Sequence, residues 1–386
     1  MTWNDIIGQQ RVQRLLHHAI ADNRLPQALI LSGMEGVGKM AIALAFAQTV
    51  NCERPVRTPT TVTPCGTCHA CQQCTSLQHP NVRLTMALPS GKGDNEQELK
   101  SDVIDELKGL LQSVAEDPYT TVRLSGATQI RIGQIRELKR TLSLSAAQEG
   151  RRVCIIVDAD DMTTEASNAF LKTLEEPHEG VTIILTTSHP ERMMQTIVSR
   201  CQEIVCPPLD DTDIADALVA RSLCSADEAQ LIAPFAQGSF TRARSFLSED
   251  MRGYREDVVN LLRTALRGKG YRIPMTEAVT AMADGRDKVR VEMMLTLLLL
   301  WLRDAYAISM TGASTSIMNG DQRGALTRFS DGFTGADYPA ALTAIEQAVR
   351  QVHRNVNLQL VLLPMLLTLR RIFGSARKAS SGTAAS

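Results

Sequence analysis

Four unbroken apolar runs stand out in the first half of the chain: ALILSG (28–33), VCIIVD (153–158), VTIILTTS (181–188) and EIVC (203–206). Such continuous runs predict strands of a parallel sheet covered by helices on both faces. Between them the apolar positions fall at helical spacing, so residues 1–206 read as an alternating α/β domain. CPPLDDTD (206–213) breaks the alternation, and no strand-like run follows it. Residues 207–249 hold short helical patterns such as DIADALVARSL and DEAQLIAPFA. Residues 250–373 read as long helices, among them VEMMLTLLLLWLRDAYAI (291–308) and NLQLVLLPMLLTLRRIF (357–373). The small polar residues of 374–386 predict a disordered tail. Residues 90–121 look like an insertion, a polar loop followed by one amphipathic helix.

Composition narrows the class. The chain has 386 residues, enough for two or three domains, and a formal net charge of −1, so no global basic field argues for nucleic-acid binding. Aromatic residues are only 4% of the total, which offers no evident stacking platform for single strands. MTWNDIIGQQ lacks the layout of a secretory signal, and MMLTLLLLWL (293–302) is too short to span a bilayer. The expected setting is the cytoplasm, with no membrane partner. There, nine cysteines point to metal binding more than to disulfides.

The run ALILSG leads into Gly33-Met34-Glu35-Gly36-Val37-Gly38-Lys39, followed by an apolar helical pattern. A glycine-rich turn between strand and helix, closed by lysine, is the setting of a phosphate-binding P-loop, in which backbone N–H groups and the lysine hold phosphates. Gly33, Gly36, Gly38 and Lys39 are the candidate binding residues. The next position should supply a hydroxyl to Mg²⁺, and it is Met40, whose thioether is a poor ligand for a hard cation. A second defect lies on VCIIVDADDM. Hydrolysis needs two adjacent acids at that strand end, but Asp158 is flanked by Val157 and Ala159. Two losses from one metal site argue against ATP hydrolysis, while leaving nucleotide binding open.

Cys52 is followed by Cys65, Cys68 and Cys71 at two-residue gaps, with Cys74 after two more residues. Such gaps let thiolates converge on one tetrahedral ion, so Cys52, Cys65, Cys68 and Cys71 form a candidate closed Zn²⁺ site, structural in role because no coordination position stays open. His69 is read as an exposed bystander. Cys154, Cys201, Cys206 and Cys224 lie in or beside apolar runs and are expected in the core.

A cysteine module after the first P-loop helix, then SNAFLKTLEEP (167–177) and TTSHPERMMQTIVSRC (186–201), resembles the AAA+ subunits of the bacterial replicative clamp loader. The opening DIIGQQRVQRLLHHAI and RLPQALILSG are similar to the same family. The resemblance covers 1–206 closely, 207–248 less so, and beyond 250 rests on helical content alone. It implies an α/β AAA+ P-loop core with an inserted zinc module (about 51–75), a small helical lid (207–249) and an all-α collar (250–373). Alignment on NAFLKTLEEP puts Val157 where an ATP-driven subunit has its magnesium aspartate and Asp158 where it has its catalytic glutamate. In GSFTRA (238–243), Thr241 stands where the lid's phosphate-sensing arginine is usual, and Arg242 is one position late. Ser199-Arg200-Cys201 matches the family's arginine-finger motif, which implies that Arg200 acts in trans on a neighbour's γ-phosphate. Lys172, Glu175 and Glu176 are candidates for the subunit interface.

The resemblance therefore implies a non-hydrolysing subunit that helps an ATP-driven assembly place a sliding clamp on primed DNA. Its implied partners are the tau/gamma and delta subunits, the clamp, and primed DNA through the assembled complex. Two rival readings are an active tau/gamma-type ATPase and, from another class, a zinc-containing DNA-binding protein.

Overall fold

The computed structural model of the chain describes residues 2–89, 100–143, 148–176, 178–247, 251–284, 288–312, 315, 317–353 and 356–382. The chain divides into two compact units, Met1–Ser245 and Phe246–Ser386.

In the first unit, helix α1 (Gln10–Ala21) precedes strand β1 (Ala28–Ser32), and a glycine-rich turn leads into helix α2 (Lys39–Asn51). The two-residue strands β2 (Val56–Arg57) and β3 (Val62–Thr63), helix α3 (His69–Thr75) and strand β4 (Val82–Thr85) follow. Then come β5 (Leu88–Pro89), helix α4 (Ser101–Glu116), β6 (Ala127–Gln129) and helix α5 (Ile132–Ser143). Strand β7 (Arg152–Ile156), helix α6 (Thr164–Glu175), strand β8 (Val181–Thr187), helix α7 (Gln195–Val198) and strand β9 (Gln202–Val205) complete the α/β part. Helices α8 (Asp211–Ala220), α9 (Ala226–Ala236) and α10 (Phe240–Leu247) come last.

Five strands form one sheet in the order β4-β7-β8-β1-β9, and every pair is parallel. The central β1 is paired on both flanks, Leu29 lying opposite Ile184 of β8 and Gln202 of β9. All five of its residues are buried, which is why its run is apolar without alternation. Helix α2 is buried almost all round for the same reason. The four strands expected from the sequence are β1, β7, β8 and β9. The sequence reading misses β4. It lies at the sheet edge, three of its four residues are only half-buried, and so it shows no continuous apolar run. The amphipathic helix expected in the insertion is α4; the polar residues 90–99 before it lie outside the described residues.

The second unit is built from helices α11 (Met251–Ala265), α12 (Arg272–Asp284), α13 (Lys288–Thr311), α14 (Arg323–Gly332), α15 (Tyr338–His353) and α16 (Leu358–Gly382). Helix α13 and the stretch Leu358–Ala376 are long and apolar enough to cross a bilayer by length and composition alone. In α13 those side chains make the core of the unit: Leu295, Leu298, Leu300 and Leu302 are fully buried. The disordered tail expected from residue 374 is corrected in part. Helix α16 continues through Gly382, over a stretch with Ala376, Arg377, Lys378 and Ala379, all good helix formers. Residues 383–386 of the expected tail lie outside the described residues.

Candidate nucleotide cradle, cysteine cluster and exposed arginine

The carboxyl ends of β1, β7 and β8 bring Gly33, Asp158 and Ser188 to one edge of the sheet, where open parallel sheets receive ligands. A cavity of about 240 Å³ lies there, lined by Lys39, Met40, Asp158, Asp160, Ser188 and Thr241 among others. The turn has the backbone of a cradle: Gly33, Gly36 and Gly38 all have positive φ, and Gly38 caps α2 in the left-handed region at φ 99°. Lys39 is buried, and its ammonium donates to the carbonyls of Gly33 (2.5 Å) and Met34 (2.9 Å) and to Ser188 Oγ (2.9 Å). The lysine that would reach phosphates is thus satisfied by the turn itself. Met40 is buried beside it, so the position of the metal-binding hydroxyl is filled by an apolar side chain.

Asp158 stands at the end of β7 with a left-handed backbone (φ 48°). Burial pushes its carboxyl up to about 6, the nearby Asp160 adds to the effect, and Lys39 opposes it. Burial likewise pushes Lys39 below its ordinary value. A carboxyl raised on folding takes up its proton first in the folded state, so stability is lost as pH rises from 3.8 to about 6. Asp158→Asn is therefore expected to stabilise the chain by on the order of 2 kcal/mol at about pH 7.5 and to change little below about pH 4. Asparagine tolerates the left-handed backbone, so no strain is added. Calorimetric midpoints at both pH values test this; equal shifts at both would remove the charge penalty as the cause.

The four sulfurs of Cys52, Cys65, Cys68 and Cys71 lie within 4.8 Å of one another. The Cys52–Cys68 and Cys65–Cys71 separations are both 3.9 Å. Sulfurs about 2.3 Å from a tetrahedral ion would stand about 3.8 Å apart, so the set could hold a metal ion. Backbone N–H groups of Cys65, Cys68 and Cys71 donate to the sulfurs of Cys52 (3.2 Å), Cys65 (3.3 Å) and Cys68 (3.4 Å). Such donors favour thiolates, and those of Thr67 and Cys68 bring the Cys65 thiol down to about 6, while burial pushes the Cys52 and Cys71 thiols up. Cys74 is outside the cluster and buried, which pushes its thiol up to about 12. His69 is exposed at the start of α3. The module is tied to the core: Gln48 Nε2 donates to the Cys71 carbonyl (3.1 Å), and the His17 ring meets the Val62 carbonyl (3.0 Å). Of the remaining cysteines, Cys154 and Cys206 are buried, and Cys201 and Cys224 are half-buried.

Arg200 follows the short helix α7. Its Nη2 and Nε donate to Oε1 of Glu175 on α6 (2.6 and 3.0 Å), and its Nη1 to the Thr196 carbonyl (2.9 Å). Among the described residues, those lining the cradle do not include Arg200. Both members of the pair are substantially exposed (35% and 48%), so breaking it costs less than about 1 kcal/mol. Leu174 of α6 is buried and Leu171 packs partly buried against the core, while Lys172, Glu175 and Glu176 face solvent. Thr241 lines the cavity where the resemblance would place an arginine, and Arg242 instead donates to Gln237 Oε1 (3.1 Å). Sequence reasoning missed Ser188, which takes the Lys39 bond, and Tyr119, whose hydroxyl accepts the Ile7 N–H (2.8 Å) at the cavity wall. Neither has a local sequence signal, because both partners are more than a hundred residues away.

Comparison with known proteins agrees with these motifs. The family described as "DNA polymerase III, delta subunit" matches residues 8–210. The DNA polymerase III subunit delta' of Bacillus subtilis is 26% identical over 94% of this chain and 96% of its own length. The subunit delta' of Pseudomonas aeruginosa is 29% identical over 65% of each chain. The tau/gamma subunit of Haemophilus influenzae is 29% identical over 64% of this chain, but that match spans only 30% of the longer relative. With a family match over more than half its residues and a delta' relative aligned along almost its whole length, the chain belongs to the DNA polymerase III delta-subunit family of bacterial clamp loaders, in its delta-prime branch.

Proposed function

We propose that the chain is a non-hydrolysing clamp-loader subunit, which supplies Arg200 to the ATP site of a neighbouring tau/gamma-type subunit. The assembly would open a sliding clamp and place it on primed DNA in the cytoplasm. The observation that carries this reading is the cradle's chemistry. Met40 fills the metal-ligand position, Val157 and Ala159 flank Asp158 so that no acid adjoins it, and Lys39 is bonded to the turn's own carbonyls. A P-loop without a hydroxyl or an acidic pair has no means of holding Mg²⁺ against the transferred phosphate. The exposed, weakly held Arg200 supports the other half, since a finger must be free to leave its resting partner. Cys52, Cys65, Cys68 and Cys71 would hold Zn²⁺, bracing the module after α2. Residues 207–249 would act as the lid, and the helices from 250 as the collar joining the subunits.

The purified chain is expected to turn over no ATP above a blank. Met40→Thr alone should not restore turnover, because the acidic pair stays incomplete. A malachite-green or coupled assay decides it. Steady hydrolysis by the wild-type chain that disappears in Lys39→Ala would replace this reading with that of an active motor subunit.

A further inference from the structure

The end of the insertion has a place in the fold that the proposed role does not use. After α4 the chain makes a turn at Asp117-Pro118-Tyr119-Thr120, closed by the Thr120 N–H donating to the Asp117 carbonyl (3.0 Å). Proline at the second position favours such a turn. It drives Tyr119 into the wall of the cradle, where its side chain is buried. The Tyr119 hydroxyl lies so close to Gly38 that a Cβ added there would sit 2.7 Å from it. The same oxygen accepts the Ile7 N–H (2.8 Å), and burial pushes the phenol up to about 12. Two residues on, Thr121 donates to Glu35 of the glycine turn (2.9 Å), so the segment is fastened to the cradle on both sides of the ring.

The segment is also gripped from behind. The Asp117 carboxylate accepts from Arg221, the C-cap of α8 (3.1 Å), from Arg244 of α10 and from the Tyr119 N–H (3.0 Å). The Arg221 guanidinium stacks over the rings of Tyr119 and Phe240, 5.0 and 4.8 Å from their centroids. Thr241 Oγ1 donates to the Tyr119 carbonyl (2.9 Å), and the Phe240 N–H donates to the Gly36 carbonyl (3.0 Å). What remains open beside the glycine turn is about 240 Å³, below the roughly 300–1,000 Å³ of ordinary small-molecule sites.

We propose that Asp117–Arg123 is a built-in peg: Tyr119 occupies the mouth of the P-loop and keeps nucleotide out, and the same segment fixes α8 and α10 against the core. The cradle is thus closed by the chain itself, separately from its missing metal ligand. Removing the peg opens a site for a nucleoside triphosphate that depends on Lys39 and brings no hydrolysis. This concerns the chain's own cradle and stands or falls apart from the role of Arg200.

A nucleotide that must first expel the peg has its apparent affinity reduced by the small open fraction. With several bonds and a buried ring holding the closed form, wild type is expected to bind at least about 100-fold more weakly than Tyr119→Ala. The experiment titrates a fluorescent ATP analogue into the full chain, with amide exchange at Ile7 and the glycine turn followed in parallel. Wild type and Tyr119→Phe, which keeps the ring, should show no saturable binding and no ATP-induced change in exchange. Tyr119→Ala should bind saturably and lose binding in the Tyr119→Ala, Lys39→Ala double variant. Should Tyr119→Ala not fold, Asp117→Asn leaves the ring in place, loosens its anchor, and should give a smaller Lys39-dependent gain. Wild type binding as tightly as the opened variants, ATP altering exchange at Ile7 in wild type, or folded variants as inert as wild type would each overturn the peg.

Discussion

If Arg200 acts in trans as proposed, Arg200→Ala is expected to leave folding, metal content and assembly intact while lowering catalysis at the neighbouring ATP site by roughly 10³–10⁵. The size follows from the work asked of the group. Charge develops on the transferred γ-phosphoryl, and a guanidinium placed there in a water-poor interface stabilises the transition state more than the ground state. In the isolated chain the same guanidinium rests on Glu175, an exposed pair whose release costs less than about 1 kcal/mol, so the resting contact does not compete with the catalytic one. The clamp- and DNA-stimulated ATPase of the reconstituted complex should fall only in part if other sites carry their own fingers. Arg200→Lys should rescue poorly, because a point charge cannot reproduce a planar fork meeting two phosphate oxygens. Glu175→Ala serves as the control, since it removes the resting partner and leaves the finger. An Arg200→Ala complex that assembles by size and hydrolyses ATP at the normal rate would reduce Arg200 to a surface residue held by Glu175.

How much of this could be read in the chain depends on whether the signal was local. Strands β1, β7 and β8 were legible because a strand buried on both faces must be apolar at every position, and ALILS shows it. The edge strand β4 breaks that rule with Arg83 and half-buried neighbours, so it passed for loop. The cysteines were legible for a similar reason: two-residue gaps fold three sulfurs onto one point without help from elsewhere, and only Cys52 had to be brought back. Gly33 and Lys39 announced a phosphate cradle, yet nothing in the turn says that Lys39 is spent on its own carbonyls and on Ser188, 149 residues away. Tyr119 was hidden most completely. It sits in a polar stretch with no periodicity, and its partners Ile7 and Thr241 lie 112 and 122 residues distant. Arg200 is singled out only by resemblance to a family, since an exposed arginine beside a glutamate has no distinguishing local chemistry.

Removing metal from the cysteine cluster is expected to have the largest effect on the fold, and to act locally. Structural zinc contributes about 10–16 kcal/mol to folding in zinc-finger peptides, where nothing else holds the chain. Here the surrounding scaffold pre-forms part of the site through Gln48 on the Cys71 carbonyl, His17 on the Val62 carbonyl and Trp3 on Thr49, so only part of that free energy should appear in global stability. Between these anchors the segment from Cys52 to Thr75 has little else to order it: β2 and β3 are two residues each, and α3 begins with the Cys68 sulfur as its cap. Chelation, or Cys52→Ser, Cys65→Ser, Cys68→Ser or Cys71→Ser, should therefore take bound zinc from one ion per chain towards none and expose this segment to protease, while the parallel sheet stays folded. Cys74→Ser should keep the ion, because its sulfur lies outside the cluster and borders a small gap with Leu44, Leu77 and Val114. Elemental analysis and limited proteolysis read both outcomes. A chain that carries no metal when purified would show that the four sulfurs converge for packing and that the module is held by its anchors alone, and one that loses metal with Cys74→Ser and keeps it with Cys52→Ser would put Cys74 in place of Cys52 in the ligand set.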